Sequence, residues 1–321
     1  INSAGTSYGN EVSFTTITPV QLATLTTTPI SSITETSAVS GGNITNNGGG
    51  AVTSRGICWG TNTNPTLADN SLVNGSGTGS FVSNLSGLTN GIIYYVRAYA
   101  INSAGTSYGN EVSFKTIQYG EGVTDIDGNM YKSVIIGEQE WMVENLRTTK
   151  YSDGTAISNV TGNINGNTYH GEWSTLSTGA WSHYDNDNQY DSTYGKLYNW
   201  YAASDARNVC PTGWHVPTDA EWTVLTDYLG ASDHYVGLGT VLRATEGWNG
   251  TDDYGWLGLP GGNRDGMGFN FIGEKGYWWS SSQGNDTYQF TGWYRGLSSY
   301  SSIEINATWK ELGMSVRCLK D

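Results

Sequence analysis

Residues 1–16 read INSAGTSYGNEVSFTT and residues 101–116 read INSAGTSYGNEVSFKT, differing only at Thr15 and Lys115. Near-identity over such a stretch marks a duplicated unit, and the offset makes the unit 100 residues long. A unit of that size must fold as one module. Residues 1–16 are therefore expected to be the C-terminal strand of a preceding repeat, residues 17–118 one complete repeat, and further copies are expected upstream.

Within the complete repeat the apolar pattern has a period of two. Tyr94, Val96, Ala98 and Ala100 fall on one face, while Arg97 and Tyr99 fall on the other. Alternation of this kind marks half-buried strands. Arg55, Ile57 and Trp59 alternate in the same way, Asn102–Gly105 reads as a turn, and Tyr108–Thr116 as the closing strand. Leu88, Gly91 and Tyr94 are spaced in a way that resembles the tyrosine corner of fibronectin type III domains, which implies an all-β immunoglobulin/fibronectin-like sandwich. Cys58, between Ile57 and Trp59, is expected to be a small, half-buried thiol rather than one half of an intermolecular bridge.

The formal charge of −14 makes nucleic acid an improbable partner, because phosphate binding needs clustered Lys and Arg. An anionic membrane surface is disfavoured for the same reason, and no run approaches the ~20 apolar residues of a membrane span. Residues 17–116 hold as many acids as bases, so the acidity belongs to residues 119–321. Twelve of the thirteen Trp residues also lie there. Low charge together with many aromatics argues against disorder.

In this second region Asp125-Ile-Asp127-Gly128-Asn129 reads as a hairpin turn rather than a calcium loop. A modest helical pattern runs over Gly195–Ala206. A better one starts at Thr218, which has capping-box spacing to Glu221, continues through Trp222, Leu225 and Leu229, and stops at Gly230. The segments Asp125–Leu146, Tyr194–Ala202, Cys210–Trp222, Gly258–Gly262, Gly276–Ser281 and Gly313–Cys318 occur in an order that resembles the Fibrobacter succinogenes major paralogous domain of Bacteroidetes and Fibrobacteres surface proteins. The Trp-His-x-Pro-Thr-x-x-Glu-Trp stretch and the Val-Arg-Cys ending are similar to C-type-lectin-like and formylglycine-generating-enzyme folds. The resemblance implies a mixed α+β C-type-lectin-like domain over residues 119–321, following the sandwich in a multidomain chain. It also implies a disulfide between Cys210 and Cys318. Such a bridge would close a loop of about one hundred residues, worth roughly 4–5 kcal/mol in the chain-entropy picture, and would require an oxidising compartment. A bacterial cell surface or extracellular location is the resulting expectation.

The sequence offers no catalytic constellation. His-Glu-x-x-His and Gly-x-Ser-x-Gly are missing, and His215 reads as a hydrogen-bonded structural residue. No cofactor is required. Calcium (Ca2+) is the one candidate, with Asp185, Asp187 and Asp191 as oxygen ligands in an Asx-rich run that equally reads as a solvated turn. Asp191-Ser192-Thr193 resembles a short Bacteroidetes O-glycosylation motif, with Ser192 as acceptor. The late segment 285–309 mixes Tyr, Trp, Ser, Asn and Gly as binding loops do. From it Tyr288, Trp293, Tyr294, Tyr300 and Trp309 are expected on one surface, with Asp286, Arg295 and Asn306 as polar contacts. Three functions stay open. The first is an adhesin or ligand-binding tip for a glycan or surface protein on a repeat stalk. The second is a fibre subunit assembled through further copies of the repeat or neighbouring chains. The third is an enzyme related to formylglycine-generating enzymes.

Overall fold

The computed structural model describes residues 3–162, 172–230, 237–285, 287, 289–300 and 302–321. The chain divides into two compact units. One comprises residues 1–29, 40–83 and 94–114, and the other residues 30–39, 84–93 and 115–321.

The first eight strands make two sheets. Strands β1 (Thr24–Thr27), β2 (Ser37–Asn46) and β5 (Gly79–Ser86) form one; β4 (Asn70–Val73), β3 (Ser54–Gly60), β6 (Ile93–Asn102) and β7 (Gly105–Tyr108) form the other, with β8 (Val112–Lys115) also paired to β6. Tyr94, Val96, Ala98 and Ala100 are all buried along β6 as the alternation predicts, but Tyr99 on the other face is buried as well. The two sheets meet where side chains are smallest: a β-carbon on Gly42 would stand 2.6 Å from that of Ala98. Cys58 is a free thiol, fully buried. Burial pushes its pKa up to about 11, against the pull of Arg97. Residues 6–23 form no helix or strand, and Tyr8, Val12, Phe14 and Ile17 are between 86 and 93% exposed. Phe114, the counterpart of Phe14 in the second copy, is buried against Tyr94 at 5.9 Å between ring centroids.

The remaining elements belong to the second unit. Strands β9 (Val123–Thr124) and β10 (Met130–Tyr131) form a hairpin, and so do β11 (Ser133–Ile136) and β12 (Gln139–Met142). The Asp125–Asn129 segment is indeed the turn of the first hairpin. Asp125 accepts from the amides of Asp127 and Asn129, and its second oxygen accepts from Asn129 Nδ2 and the Tyr131 hydroxyl. Strands β13 (Ser158–Asn159), β14 (Ala180–Ser182) and β15 (Leu197–Tyr198) make a small sheet, with α1 (Asp191–Tyr194) and α2 (Trp200–Ala203) flanking β15 in sequence.

The helix expected over Gly195–Ala206 is therefore only α2. Leu197 and Tyr198 are strand residues, and Asn199 caps α2 by accepting from the Ala202 amide. The helix expected after Thr218 is present as α3 (Asp219–Tyr228) with its capping box complete: Thr218 Oγ1 accepts from the Glu221 amide and Glu221 accepts from the Thr218 amide. Before it lies β16 (Trp214–His215) and after it α4 (Leu238–Leu242).

The core is built on a five-stranded sheet ordered β18-β17-β19-β20-β21, from β17 (Gly261–Arg264), β18 (Phe269–Ile272), β19 (Lys275–Gln283), β20 (Thr291–Ser298) and β21 (Glu304–Trp309). Both faces of its centre are covered. Trp279 and Tyr294 join one apolar cluster with Trp200, Trp214 and the Cys210–Cys318 pair. Trp278 and Leu297 join another with Trp141, Trp222 and Trp256. In that second cluster Trp141–Trp222, Trp222–Trp256 and Trp256–Trp278 have centroids 4.7, 5.9 and 5.0 Å apart, within the range of favourable aromatic pairs. The last strand, β22 (Leu319–Lys320), lies between β12 and β16 in a four-stranded sheet. Just before it, Cys318 is bonded to Cys210, with 5.9 Å between their Cα atoms. The unit is mostly β with short helices.

Candidate functional site

The aromatic surface expected from residues 285–309 does not form as one face. Strand β20 is central in its sheet, between β19 and β21, and the two apolar clusters pack on the two faces it presents, Tyr294 in one and Leu297 in the other. Tyr294 is buried against Tyr277 at 5.7 Å, and its hydroxyl meets Glu304. Arg295 is 2% exposed and donates to the Asp219 carboxylate at 2.6 Å, at the start of α3. Neither reaches a ligand. Trp293 is half-buried on the face that carries Arg295. Tyr300 is 77% exposed in the connection between β20 and β21, while Trp309, 55% exposed, ends β21 at the opposite end of the hairpin. Asn306 is exposed and caps the next amide, that of Ala307, at 2.8 Å. Asp286 and Tyr288 lie outside the described residues. An alternating pattern in a central strand of a sheet covered on both sides has no solvent face, which is why the composition misled.

The three carboxylates expected to hold calcium do not converge either. Asp187 closes on Gln189, accepting from its amide at 2.9 Å and from its side-chain nitrogen at 2.7 Å. Asp191 holds His183 Nδ1 at 2.8 Å on one oxygen and the Lys196 ammonium on the other, so groups of the chain already occupy both oxygens. Asp185 sits at a left-handed backbone position (φ 51°), exposed, inside the turn. Among the described residues no group of three His, Cys, Asp or Glu side chains could hold a metal ion. Ser192 is exposed in the single turn of α1. His215 lies between two carboxylates, with Nδ1 2.7 Å from Asp321 and Nε2 3.0 Å from Glu221.

What the structure does bring together is a groove of about 490 Å³ around Trp309. Three turns make it. The first, between β17 and β18, is tied by Asp265, whose Oδ1 accepts from the amides of Met267 at 2.7 Å and Gly268 at 2.9 Å. This Asx turn leaves Met267 63% exposed at the tip. The second turn follows Trp309, whose carbonyl accepts from the Leu312 amide at 3.1 Å. Along it Lys310 points inward, 4.2 Å above the Trp200 ring, so its neighbour Trp309 points out. The third is the 3-10 turn Glu172–Thr175, which presents Ser174.

Arg264, at the end of β17, joins the three. It is 3% exposed, stacks over Trp173 at 4.4 Å and Phe269 at 4.8 Å, and donates to the carbonyls of Val160 and Gly162. Burial lowers its pKa to about 10, the nearby Glu172 working against the shift. Its backbone exchanges two 2.8 Å hydrogen bonds with Gly313. Gly266 is required beneath the groove, because a β-carbon there would come 2.9 Å from that of Ser174.

The walls of the groove are Trp309, Met267 and Leu312 on the apolar side and Asp265, Glu311 and Ser174 on the polar side. Phe290 lies beside Trp309, 6.2 Å between centroids and tilted by 32°. Of the residues singled out in the sequence only Trp309 takes part. Met267, Glu311 and Ser174 come from segments far apart in the chain. The one local sign of them was an apolar Met in an Asp-Gly-Met-Gly turn.

A family model for the Fibrobacter succinogenes major domain matches residues 134–320, more than half of the chain. The chain belongs to that family. In this Fibrobacter succinogenes major domain the groove and both core clusters fall within the matched residues, apart from Tyr131 and Ile117 at the edges of those clusters. No curated protein matches the chain. Two solved structures have slight similarity. One is a short form of the sensor domain of the anti-sigma factor RsgI4 in Pseudobacteroides cellulosolvens, 20% identical, with a TM-score of 0.24, 30% of this chain and 97% of that one covered. The other is the solution structure of the same sensor domain, 19% identical, with a TM-score of 0.23, 30% of this chain and 75% of that one covered.

Proposed function

We propose that the chain is an extracellular binding protein. The Fibrobacter succinogenes major domain, C-type-lectin-like in kind, takes a ligand in the Trp309 groove, and an immunoglobulin/fibronectin-like module serves as its spacer. The observation that carries this is the outward Trp309. The one exposed tryptophan of this unit, it stands 55% exposed against Phe290, on a groove with carboxylates at its edge. A rigid, half-open aromatic ring on a preformed concavity gives large contact area at little entropic cost. The Cys210–Cys318 disulfide supports a compartment outside the reducing cytosol. No helix among the described residues is long and apolar enough to cross a membrane. The role is binding without turnover, and no cofactor enters it. Ser192, exposed on α1, is open to glycosylation.

The test is retention of ligands from a panel of glycans and purified surface proteins by the immobilised full chain. Trp309→Ala is expected to abolish capture of whatever the wild type retains. Capture that survives the substitution would move the site elsewhere. Turnover of a panel compound, lost with one point substitution, would favour an enzyme.

A fibre subunit is the second reading, favoured by one observation. Tyr8, Val12, Phe14 and Ile17 are exposed in a segment whose duplicate is folded into a sheet. Self-association that disappears when residues 3–16 are removed would support it.

A further inference from the structure

Twelve Lys and Arg residues lie between 119 and 321. Six of them, Lys196, Arg243, Arg264, Arg295, Lys310 and Arg317, are buried. Arg295 and Lys196 face carboxylates, but the others are held largely by carbonyls and rings. Arg243 donates to the Ser298 carbonyl beside Trp248, Arg264 to two carbonyls beneath Trp173, and Arg317 to the Trp256 and Leu257 carbonyls. Among the described carboxylates only Asp125 is equally buried. The unit has turned half of its cations inward and left most of its acids outside.

Several outward cations are themselves engaged. Lys150 pairs with Asp127 at 2.9 Å, Arg207 with Asp205 at 2.7 Å and Lys320 with Glu140 at 2.7 Å. These pairs cancel charge for charge, so it is the six buried cations that leave the exterior more acidic than the formal charge indicates. A surface of one sign concentrates ions of the other and speeds their approach.

The Trp309 groove sits in this field, and its lining holds Asp265 and Glu311 with no Lys or Arg. Asp265 is consumed by its own turn. Glu311 makes no hydrogen bond or ion pair among the described residues and stands half-exposed two positions from Trp309. An indole face beside an uncommitted carboxylate matches a cation on an apolar stem: the ring attracts the charge, Met267 and Leu312 cover the stem, and the carboxylate closes the pair. Nucleic acids and acidic glycans are repelled by the same groove. Resting on the binding function proposed above, we infer that the occupant is a basic segment of a partner protein, with a Lys or Arg side chain seated between Trp309 and Glu311.

The experiment is titration of the full chain with three ten-residue Gly/Ser peptides carrying two Arg, no charge, or two Glu, followed by calorimetry, and with cellohexaose as a neutral sugar. The Arg peptide is expected to bind, more weakly as salt rises, and the other probes not at all. Trp309→Ala should weaken it about 10-fold, Trp309→Phe much less. Glu311→Gln should weaken it roughly 3-fold and flatten the salt dependence. Glu138→Gln, an exposed charge away from the groove, should leave it unchanged. Thermal melting followed by Trp fluorescence verifies that each variant is folded. If the Arg peptide does not bind and cellohexaose binds only when Trp309 is present, the cationic ligand is wrong and the binding groove stands. If the uncharged peptide binds as well as the Arg peptide, the charge argument is overturned. If the Arg peptide binds Trp309→Ala as well as wild type, the acidic exterior alone attracts it and the groove assignment falls too.

Discussion

The guanidinium carbon of Arg317 sits 3.9 Å from the centroid of the Trp256 ring, and the same guanidinium donates to the Trp256 carbonyl. It also donates to Asn145 Oδ1, at 2.7 Å from Nη2 and 3.2 Å from Nε, and Asn145 Oδ1 accepts from Trp278 Nε1 at 2.8 Å. The arginine of the Val-Arg-Cys ending is thus a fully buried cation that ties the last residues to the tryptophan cluster. Burial lowers its pKa, and the fields of Glu144 and Asp252 resist that shift. Arg317→Lys keeps the charge but loses the planar fork that reaches several acceptors. The expected cost is about 2–4 kcal/mol, read as a lower denaturant midpoint by Trp fluorescence, which reports this unit because it holds twelve of the thirteen tryptophans.

Asp252 gives a pH prediction. Burial raises its carboxyl to about 7, Asp253 adding to the shift while the Leu257 amide and Arg317 oppose it. Between the ordinary carboxylate range and that value the folded chain holds a proton that the unfolded chain has released. Stability from this group is therefore full at low pH and is lost as pH rises through 7. Asp252→Asn keeps an oxygen for the Leu257 amide, 2.8 Å away, and removes the titration. Its advantage over wild type should be near zero at pH 4 and grow to on the order of 2–4 kcal/mol by pH 8, measured as the difference between two denaturation series.

The disulfide and Cys58 predict a thiol count. All three cysteines are buried. No thiol should react in native protein, one in denaturant, and three after reduction in denaturant. Replacing Cys210 and Cys318 together by Ala should cost about 4–5 kcal/mol, the entropy of a loop closed across 108 residues.

Gly292 lies under Trp200, where a β-carbon would come 2.2 Å from the indole. Gly292→Ala should therefore displace the ring from its 3.0 Å hydrogen bond to the Ser280 carbonyl and cost about 1–3 kcal/mol. A shift in native emission, together with an earlier thermal transition, checks it.

Local chemistry was legible in the sequence and distant pairing was not. Thr218 and Glu221 are three residues apart, so their capping box could be read directly, and it is present. Trp141, Trp200, Trp222, Trp278 and Trp279 sit in the segments that carry the family resemblance, and all five are buried. Cys210 and Cys318 came from the family resemblance. Asp191 failed because the spacing of acids says nothing of Lys196, five residues on, turning back to meet it. Leu197 falls on a helical stripe with Tyr201 and Ala202, but it and Tyr198 are held as a strand against Ser182 and Trp181. Tyr294 and Arg295 have the composition of a binding loop, and only the distant segments packed on the two faces of the sheet reveal that they are interior. Trp309 escaped the same fate because it lies at the strand's end.

Strand β22 is threaded between β12 and β16. It is the last of the four to be synthesised, and its neighbours cannot pair through it until it arrives. Trp141 of β12 and His215 of β16 both await Leu319. A nascent chain of this kind stays open along its middle until β22 has emerged. Closure of the sheet, and the sulfur bond from Cys318 one residue earlier, come only with that last strand.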